Sequence, residues 1–177
     1  MSKEYAIGDV IISRSEIEKR AEEIGRRISE DFAGEEVTLI GILRGAVMWM
    51  SQILKSVDLD ARVDFMAVSS YGAATKSSGI VKINKDLDDS IVGKNAIIVE
   101  DIVDSGVTLN YLKEYLLGMN PKSLRICSLL DKPSGRKIPM DLDYVGFEVG
   151  DVFIVGYGLD VNQRFRNLPY ITSVTEK

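Results

Sequence analysis

Histidine is absent from this 177-residue chain and cysteine occurs once. Those two gaps remove much of ordinary enzyme chemistry. Without histidine there is no Ser-His or Cys-His nucleophile pair and no imidazole metal ligand. A lone Cys127 excludes an intrachain disulfide and a thiolate zinc site, and within the apolar run SLRICSLL it reads as a buried strand residue. Acid–base work therefore falls to Asp, Glu, Lys or Tyr. There is no G-x-x-x-x-G-K-[ST] and no G-x-G-x-x-G; the nearest fragment, Gly156-Tyr157-Gly158, lacks the rest of a dinucleotide fingerprint. No apolar stretch reaches the ~20 residues of a membrane span, and the opening MSKEYAIGDV lacks the basic and apolar regions of a signal peptide, so a cytoplasmic protein without a membrane partner is expected. Excess positive charge is missing too: 22 Lys and Arg against 27 Asp and Glu give a net charge of −5 and a pI near 4.9. That balance argues against a general nucleic-acid binder, so anion recognition has to be local.

What is present suits one α/β domain, since the length matches a single unit and 45% hydrophobic residues can build a sizeable core. Ser15 with Glu18 reads as a capping box, and Ile17, Ala21, Ile24, Ile28 and Phe32 then recur at helical steps until Gly34. Residues 37–43 read as a buried strand, followed by the Arg44-Gly45 turn and an apolar helix over 46–57 containing Met48, Trp49, Met50, Ile53 and Leu54. This helix is expected to be covered on most sides, by core or by a subunit interface. Residues 62–69 and 80–83 read as strands around a small, polar segment, SYGAATKSSG, expected to be a mobile loop. A helix over 107–119 ends at Gly118 and Pro121, residues 123–130 form another strand, and 144–147 and 152–157 are short strands before the Arg-rich VNQRFRNLPY. Strands alternating with helices imply a mainly parallel sheet.

The most informative stretch is AIIVEDIVDSGVTL, residues 96–109. Residues 95–99 read as a strand buried on both faces and Val107 opens a helix, so the loop between lies at a strand's carboxyl end, where open parallel sheets bind ligands. Asp104, Ser105, Gly106, Val107 and Thr108 can offer backbone donors and two hydroxyls to a phosphate. Glu100 and Asp101 place two acids beside it, which suits a ribose diol and a magnesium ion. Arg44 and Gly45 form a second strand-to-helix turn fit for a phosphate or pyrophosphate. Lys132 and Asp160 also fall at carboxyl ends, so all these pieces converge on one edge of one sheet.

The loop resembles that of the type I phosphoribosyltransferases: two acids, two hydrophobics, an acid, then Ser-Gly-x-Thr. From about Tyr5 to Ile171 the chain resembles the hypoxanthine-guanine branch of that family, through LRGA at 43–46, SSYG at 69–72, VEDIVDSGVT at 99–108, LLDKP at 129–133, YVGFE at 144–148 and VFIVGYGLDVNQRFRNLPY at 152–170. The resemblance implies a central, mainly parallel twisted sheet flanked by helices, with a core over about 35–140 and a small hood from about 1–12 and 141–177. It implies transfer of a phosphoribosyl group from phosphoribosyl pyrophosphate to hypoxanthine or guanine, giving IMP or GMP and pyrophosphate, with Mg2+ as cofactor.

Residue by residue, the resemblance implies that Glu100 and Asp101 hold ribose hydroxyls and magnesium, and that residues 104–108 hold the 5′-phosphate. It makes Asp104 the general acid/base near purine N7 and sets Lys132 against the 6-oxo group. Phe153 would stack on the base, the backbone of Ile154 would read its edge, Asp160 would bind a second magnesium, and Arg166 would bind pyrophosphate. Arg44 and Gly45 would form the pyrophosphate loop, where the family can carry a cis peptide between the residues matching Leu43 and Arg44. Ser70 and Tyr71 would begin a loop that closes over the reaction centre. Arg44-Gly45-Ala46 replaces the Lys-Gly-Gly of many members, and Val107 stands where a basic residue often does. A homodimer or homotetramer is expected. Two other readings stay open: a phosphoribosyl-pyrophosphate-sensing regulator that binds nucleic acid, and a phosphoribosyltransferase for another base such as xanthine.

Overall fold

Residues 37–43 are apolar throughout because the strand they form lies at the middle of a sheet with both faces covered. In the computed structural model, which describes residues 4–70 and 81–177, that strand is β2 (Val37–Leu43). It follows β1 (Tyr5–Ile12) and α1 (Arg14–Asp31), and precedes α2 (Val47–Ser56), β3 (Ala61–Ser70) and β4 (Val81–Lys85). Then come β5 (Asn95–Val103), α3 (Val107–Leu117), β6 (Ser123–Asp131), a 3-10 turn (Pro133–Gly135), β7 (Tyr144–Glu148), β8 (Ile154–Val155) and β9 (Ile171–Glu176). Six strands form one sheet in the order β4-β3-β2-β5-β6-β7, parallel except for the β3–β4 pair. The remaining three form a separate antiparallel sheet, β1-β9-β8. Tyr71 and the rest of the expected loop up to Gly79 lie outside the described residues.

Strand alternation sends successive side chains to opposite faces. Leu39, Ile97, Val99, Cys127 and Leu129 pack with Ile17, Ile24, Trp49 and Ile53 of α1 and α2, whereas Ile40, Ala96, Ile98 and Ile126 pack with Leu109, Leu112 and Leu116 of α3. The first cluster also takes in Ile154, Tyr157 and Ile171, which seats the three-stranded sheet on the larger one. Burying each Ile or Leu side chain in these layers contributes about 1.5–3 kcal/mol. Cys127 is fully buried there, and burial pushes its thiol up to about 12, as expected of an inert core residue.

Several local expectations shift. The capping box is formed by Ser13 and Glu16, not by Ser15 and Glu18: Ser13 is extended, its hydroxyl accepts from Glu16 N, and Glu16 accepts from Ser13 N at 2.8 Å. Strand β1 ends at Ile12, so Ser13 is the residue where the chain turns into the helix and Ser15 is already helical. Strand β5 runs on to Val103, because β6 continues to pair with it through Glu100↔Ser128, Ile102↔Leu130 and Val103↔Asp131. Glu100 and Asp101 therefore stand on a strand, not in a loop. Strand 152–157 shrinks to Ile154–Val155, and β1 and β9, which carry most of the small sheet, alternate too weakly to be read as strands. The six-stranded sheet includes β7, past the expected core limit at residue 140. Helix α2 buries Trp49, Met50 and Ile53 but leaves Val47 and Leu54 exposed.

Candidate functional site

Strand order reverses between β2 and β5: the chain moves outward from β2 through β3 and β4, then returns to the other side of β2 for β5, β6 and β7. The loops leaving β2 and β5 therefore diverge, opening a crevice at their carboxyl ends, where doubly wound sheets bind ligands. A cavity of about 270 Å3 lies there, lined by Glu100, Asp101, Asp104, Ser105, Gly106 and Thr108 among others. A larger depression of about 880 Å3 sits elsewhere, between α1 and α2, edged by Arg26, Glu30 and Lys55 and by the segment leading into the amino end of β3. It holds none of the expected site residues.

The floor of the crevice is the turn from β5 into α3. Gly106 is the α3 N-cap with φ +78°, a left-handed conformation that glycine adopts without a Cβ clash, and a Cβ there would lie 2.9 Å from Ile138 O. The N-cap residue Gly106 offers no side-chain cap, so the first-turn amides beyond Val107 remain available to an anion. Val107 N reaches Ser105 Oγ at 3.4 Å. Beside this cup, burial and the adjacent Asp101 charge hold the Glu100 carboxyl well above the usual range. Burial raises Asp101 as well, opposed in part by its hydrogen bonds and by Arg166. Two acids that resist ionisation together form a site a cation would stabilise.

The turn after β2 closes in on the same acids. The Leu43–Arg44 peptide is cis. A Cβ on Gly45 would sit 1.6 Å from Asp101 Oδ2, and one on Gly158 would sit 2.0 Å from Gly45 O. Backbone of the turn after β2, a side chain of β5 and backbone of the segment after β8 thus meet with no room for a methyl group. Arg44 Nη1 donates to Gln163 Oε1 at 3.0 Å, and Arg166 donates to the same oxygen at 3.2 Å and to Gly158 O at 2.7 Å. Asp160, expected as a magnesium ligand, faces Arg166 at 2.6 Å and accepts from Gln163 N at 2.7 Å. A carboxylate held by a guanidinium is engaged, and a cation would have to displace that partner.

On the β6 side, Lys132 N donates to Val103 O at 2.9 Å, while its ammonium lies 3.0 Å from exposed Asp151 and 3.4 Å from Val152 O. Phe153, the residue after Val152, is 60% exposed, a large aromatic left open as a ring that stacks on a ligand would be. Its carbonyl accepts from Val174 N, and Ile154 is buried opposite Ser173 in the β8–β9 pair. Ser70 ends β3 opposite Val81. Among the described residues no three His, Cys, Asp or Glu side chains cluster as a metal site, so the Glu100–Asp101 pair could hold magnesium only together with ligand oxygens. The chain pattern gave no hint of Gln163, which bridges the two arginines, or of Arg136 and Gly135, which pack under the phosphate turn. The only signal at the latter was a basic pair following Lys132-Pro133-Ser134-Gly135.

A phosphate cup flanked by paired acids at the switch point of a parallel sheet belongs to α/β proteins that handle phosphorylated sugars and nucleotides. The phosphoribosyl transferase domain model matches residues 11–162, and the chain belongs to that family. It is 50% identical over 167 residues to hypoxanthine-guanine phosphoribosyltransferase of Bacillus subtilis, covering 94% of this chain and 93% of that protein. It is 48% identical to hypoxanthine phosphoribosyltransferase of Salmonella typhimurium, covering 94% of each. The crystal structure of a hypoxanthine-guanine phosphoribosyltransferase from Bacillus anthracis superposes with a TM-score of 0.91 at 41% identity, covering 97% of this chain and 99% of that one.

Proposed function

We propose that this chain is a purine salvage enzyme that transfers the 5-phosphoribosyl group of phosphoribosyl pyrophosphate to N9 of hypoxanthine or guanine, releasing pyrophosphate and giving IMP or GMP. The observation that carries the reading is at Lys132: its backbone amide braces the phosphate turn at Val103 O, while its ammonium lies 3.4 Å from the carbonyl of Val152, the residue before the exposed Phe153. A purine stacked on Phe153 would meet a cation at its acceptor edge. A 6-oxo group accepts from Lys132, whereas the amino group of adenine would set donor against donor.

In this reading the turn over residues 104–108 binds the 5′-phosphate, and Glu100 and Asp101 accept from the ribose hydroxyls and hold magnesium. Magnesium, when bound, shields charge on the departing pyrophosphate. Arg44 and Arg166 leave Gln163 for the pyrophosphate oxygens, with Asp160 freed as Arg166 turns. Asp104, exposed at the lip of the cup, exchanges a proton with purine N7 as the glycosidic bond changes partner. The acidic net charge favours this over a nucleic-acid-binding regulator. We also propose a homodimer or homotetramer, supported by Val47 and Leu54 exposed on α2.

The test is a spectrophotometric assay with phosphoribosyl pyrophosphate, with and without magnesium, offering hypoxanthine, guanine, xanthine and adenine separately. Magnesium-dependent turnover of hypoxanthine or guanine but not adenine is expected. Turnover of xanthine alone, or of no base despite binding of the sugar phosphate, would overturn the proposal.

A further inference from the structure

Three consecutive carbonyls of the phosphate turn are held from one side by a single short segment, residues 132–138. Val103 O accepts from Lys132 N at 2.9 Å and from Arg136 Nη2 at 3.1 Å; Asp104 O accepts from Arg136 Nε at 2.9 Å; Ser105 O accepts from Lys137 N at 2.9 Å and Ile138 N at 3.1 Å. A trans peptide is planar with its C=O and N–H pointing opposite ways, so fixing these carbonyls fixes the following N–H groups on the far side. Those are the amides of Asp104, Ser105 and Gly106, and among the described residues none of them donates to a protein acceptor. They face the cup.

The two bonds from Arg136 cannot be replaced by main chain. Its guanidinium spans two successive carbonyls with Nε and Nη2 and is itself held by an ion pair to Asp131, the residue opposite Val103 across the β5–β6 ladder. Its side chain is only 15% exposed, so the charge acts in a recessed, poorly screened place. A cation on the carbonyl side polarises each peptide and makes its N–H a stronger donor towards an anion. The same segment passes so close to Asp104 that a Cβ on Gly135 would lie 1.6 Å from Asp104 Oδ1.

We infer that Arg136 is a positioning residue: with Asp131 it clamps the carbonyl face of the phosphate turn, so that the turn's amides and the Asp104 carboxyl are set before the sugar phosphate arrives. It touches no substrate. The inference deepens the phosphoribosyltransferase reading and rests on it for the catalytic consequence, but the clamp itself can be read by phosphate binding alone.

The experiment compares the unsubstituted chain with Arg136→Met and Arg136→Lys. It measures ribose 5-phosphate binding by calorimetry, steady-state constants for both substrates, and thermal melts. A turn misplaced by about 1 Å costs ~10²-fold, so Arg136→Met should weaken ribose 5-phosphate binding and kcat/KM for phosphoribosyl pyrophosphate by about that factor. KM for hypoxanthine should move less than about threefold, as for a substitution outside the base pocket. Arg136→Lys, which keeps the charge but not the planar fork, should fall between the two. Binding by Arg136→Met within about threefold of the unsubstituted chain, or a loss in both variants equal to their unfolded fraction in the melts, overturns the clamp. If the unsubstituted chain binds ribose 5-phosphate yet converts no base, the enzymatic reading fails while the binding comparison still decides the clamp.

Discussion

Gly45→Ala is the smallest change that should disable the site. Its new Cβ would lie 1.6 Å from Asp101 Oδ2 and 2.4 Å from the carboxyl carbon. Carbon and oxygen need about 3.5 Å, so the carboxyl or the turn has to move by roughly 2 Å. Retreat of the turn is blocked, because Gly45 O already lies where Gly158 has no space for a side chain. Asp101 is also tied on its other oxygen, which accepts from Ile102 N at 2.8 Å. The carboxyl must therefore rotate out of the place it shares with Glu100. A misplaced group of this kind costs ~10²-fold, equivalent to about 2.7 kcal/mol of transition-state stabilisation. The assay is steady-state kinetics over a range of phosphoribosyl pyrophosphate and magnesium concentrations, with thermal melts to confirm folding. The expected outcome is a higher KM for the sugar phosphate and a kcat/KM lowered by about two orders of magnitude. Gly150→Ala, where a Cβ meets nothing within 4 Å, serves as the control. A Gly45→Ala enzyme with kcat/KM like that of the control would refute the steric reasoning and the place of Asp101 in the site.

Asp104→Asn should keep sugar-phosphate affinity, since the turn's backbone donors remain, while turnover drops by ~10²–10⁴-fold; an undiminished rate would remove Asp104 from acid–base duty. Lys132→Gln keeps the backbone bond to Val103 O but loses the ammonium, so KM for hypoxanthine should rise by roughly 10–100-fold, the worth of a charged hydrogen bond, with KM for phosphoribosyl pyrophosphate little changed; equal shifts in both would count against a base-side role. Asp64 tests stability. Burial pushes its carboxyl up, but donation from Phe65 N, Asp89 N and Asp88 N, with Lys85 nearby, leaves it below the usual range. A carboxyl lowered on folding stabilises above its unfolded value and loses that contribution as pH falls through the folded one. Asp64→Asn should thus cost about 1–3 kcal/mol near pH 7, and the gap to the unsubstituted chain should close below about pH 4. A gap that stays constant in denaturant melts down to pH 3 would show that the charge plays no part.

Elements were legible in the chain where one physical pattern acted alone. Helix α1 carries its apolar stripe at Ile17, Ala21, Ile24 and Ile28, all buried, and β2 is apolar because it is central. Where two patterns compete, local reading failed. Both Ser13-x-x-Glu16 and Ser15-x-x-Glu18 satisfy the capping box, and only the end of β1 selects the first. The acids Glu100 and Asp101 look like the start of a loop, yet pairing with β6 carries the strand beneath them. Strands β1 and β9 pair with each other from opposite ends of the chain, at Tyr5↔Glu176, so neither can be recognised from its own neighbourhood.

The residues adjacent in the chain determined the chemistry that could be read without a structure: paired acids, a Gly-containing hydroxyl turn and the start of a helix over residues 100–108 must lie together because the backbone joins them. The sequence also determined the exclusion of histidine and thiolate chemistry, since composition does not depend on the fold. Tertiary structure alone decided what meets that turn. It brought Gly45, Gly158 and Asp101 within a methyl group of one another, turned Asp160 towards Arg166, set both arginines on Gln163, and passed residues 132–138 beneath the phosphate cup. Such contacts depend on strand order and on where the small sheet settles, and these follow from the summed burial of two apolar clusters, not from any short run of residues.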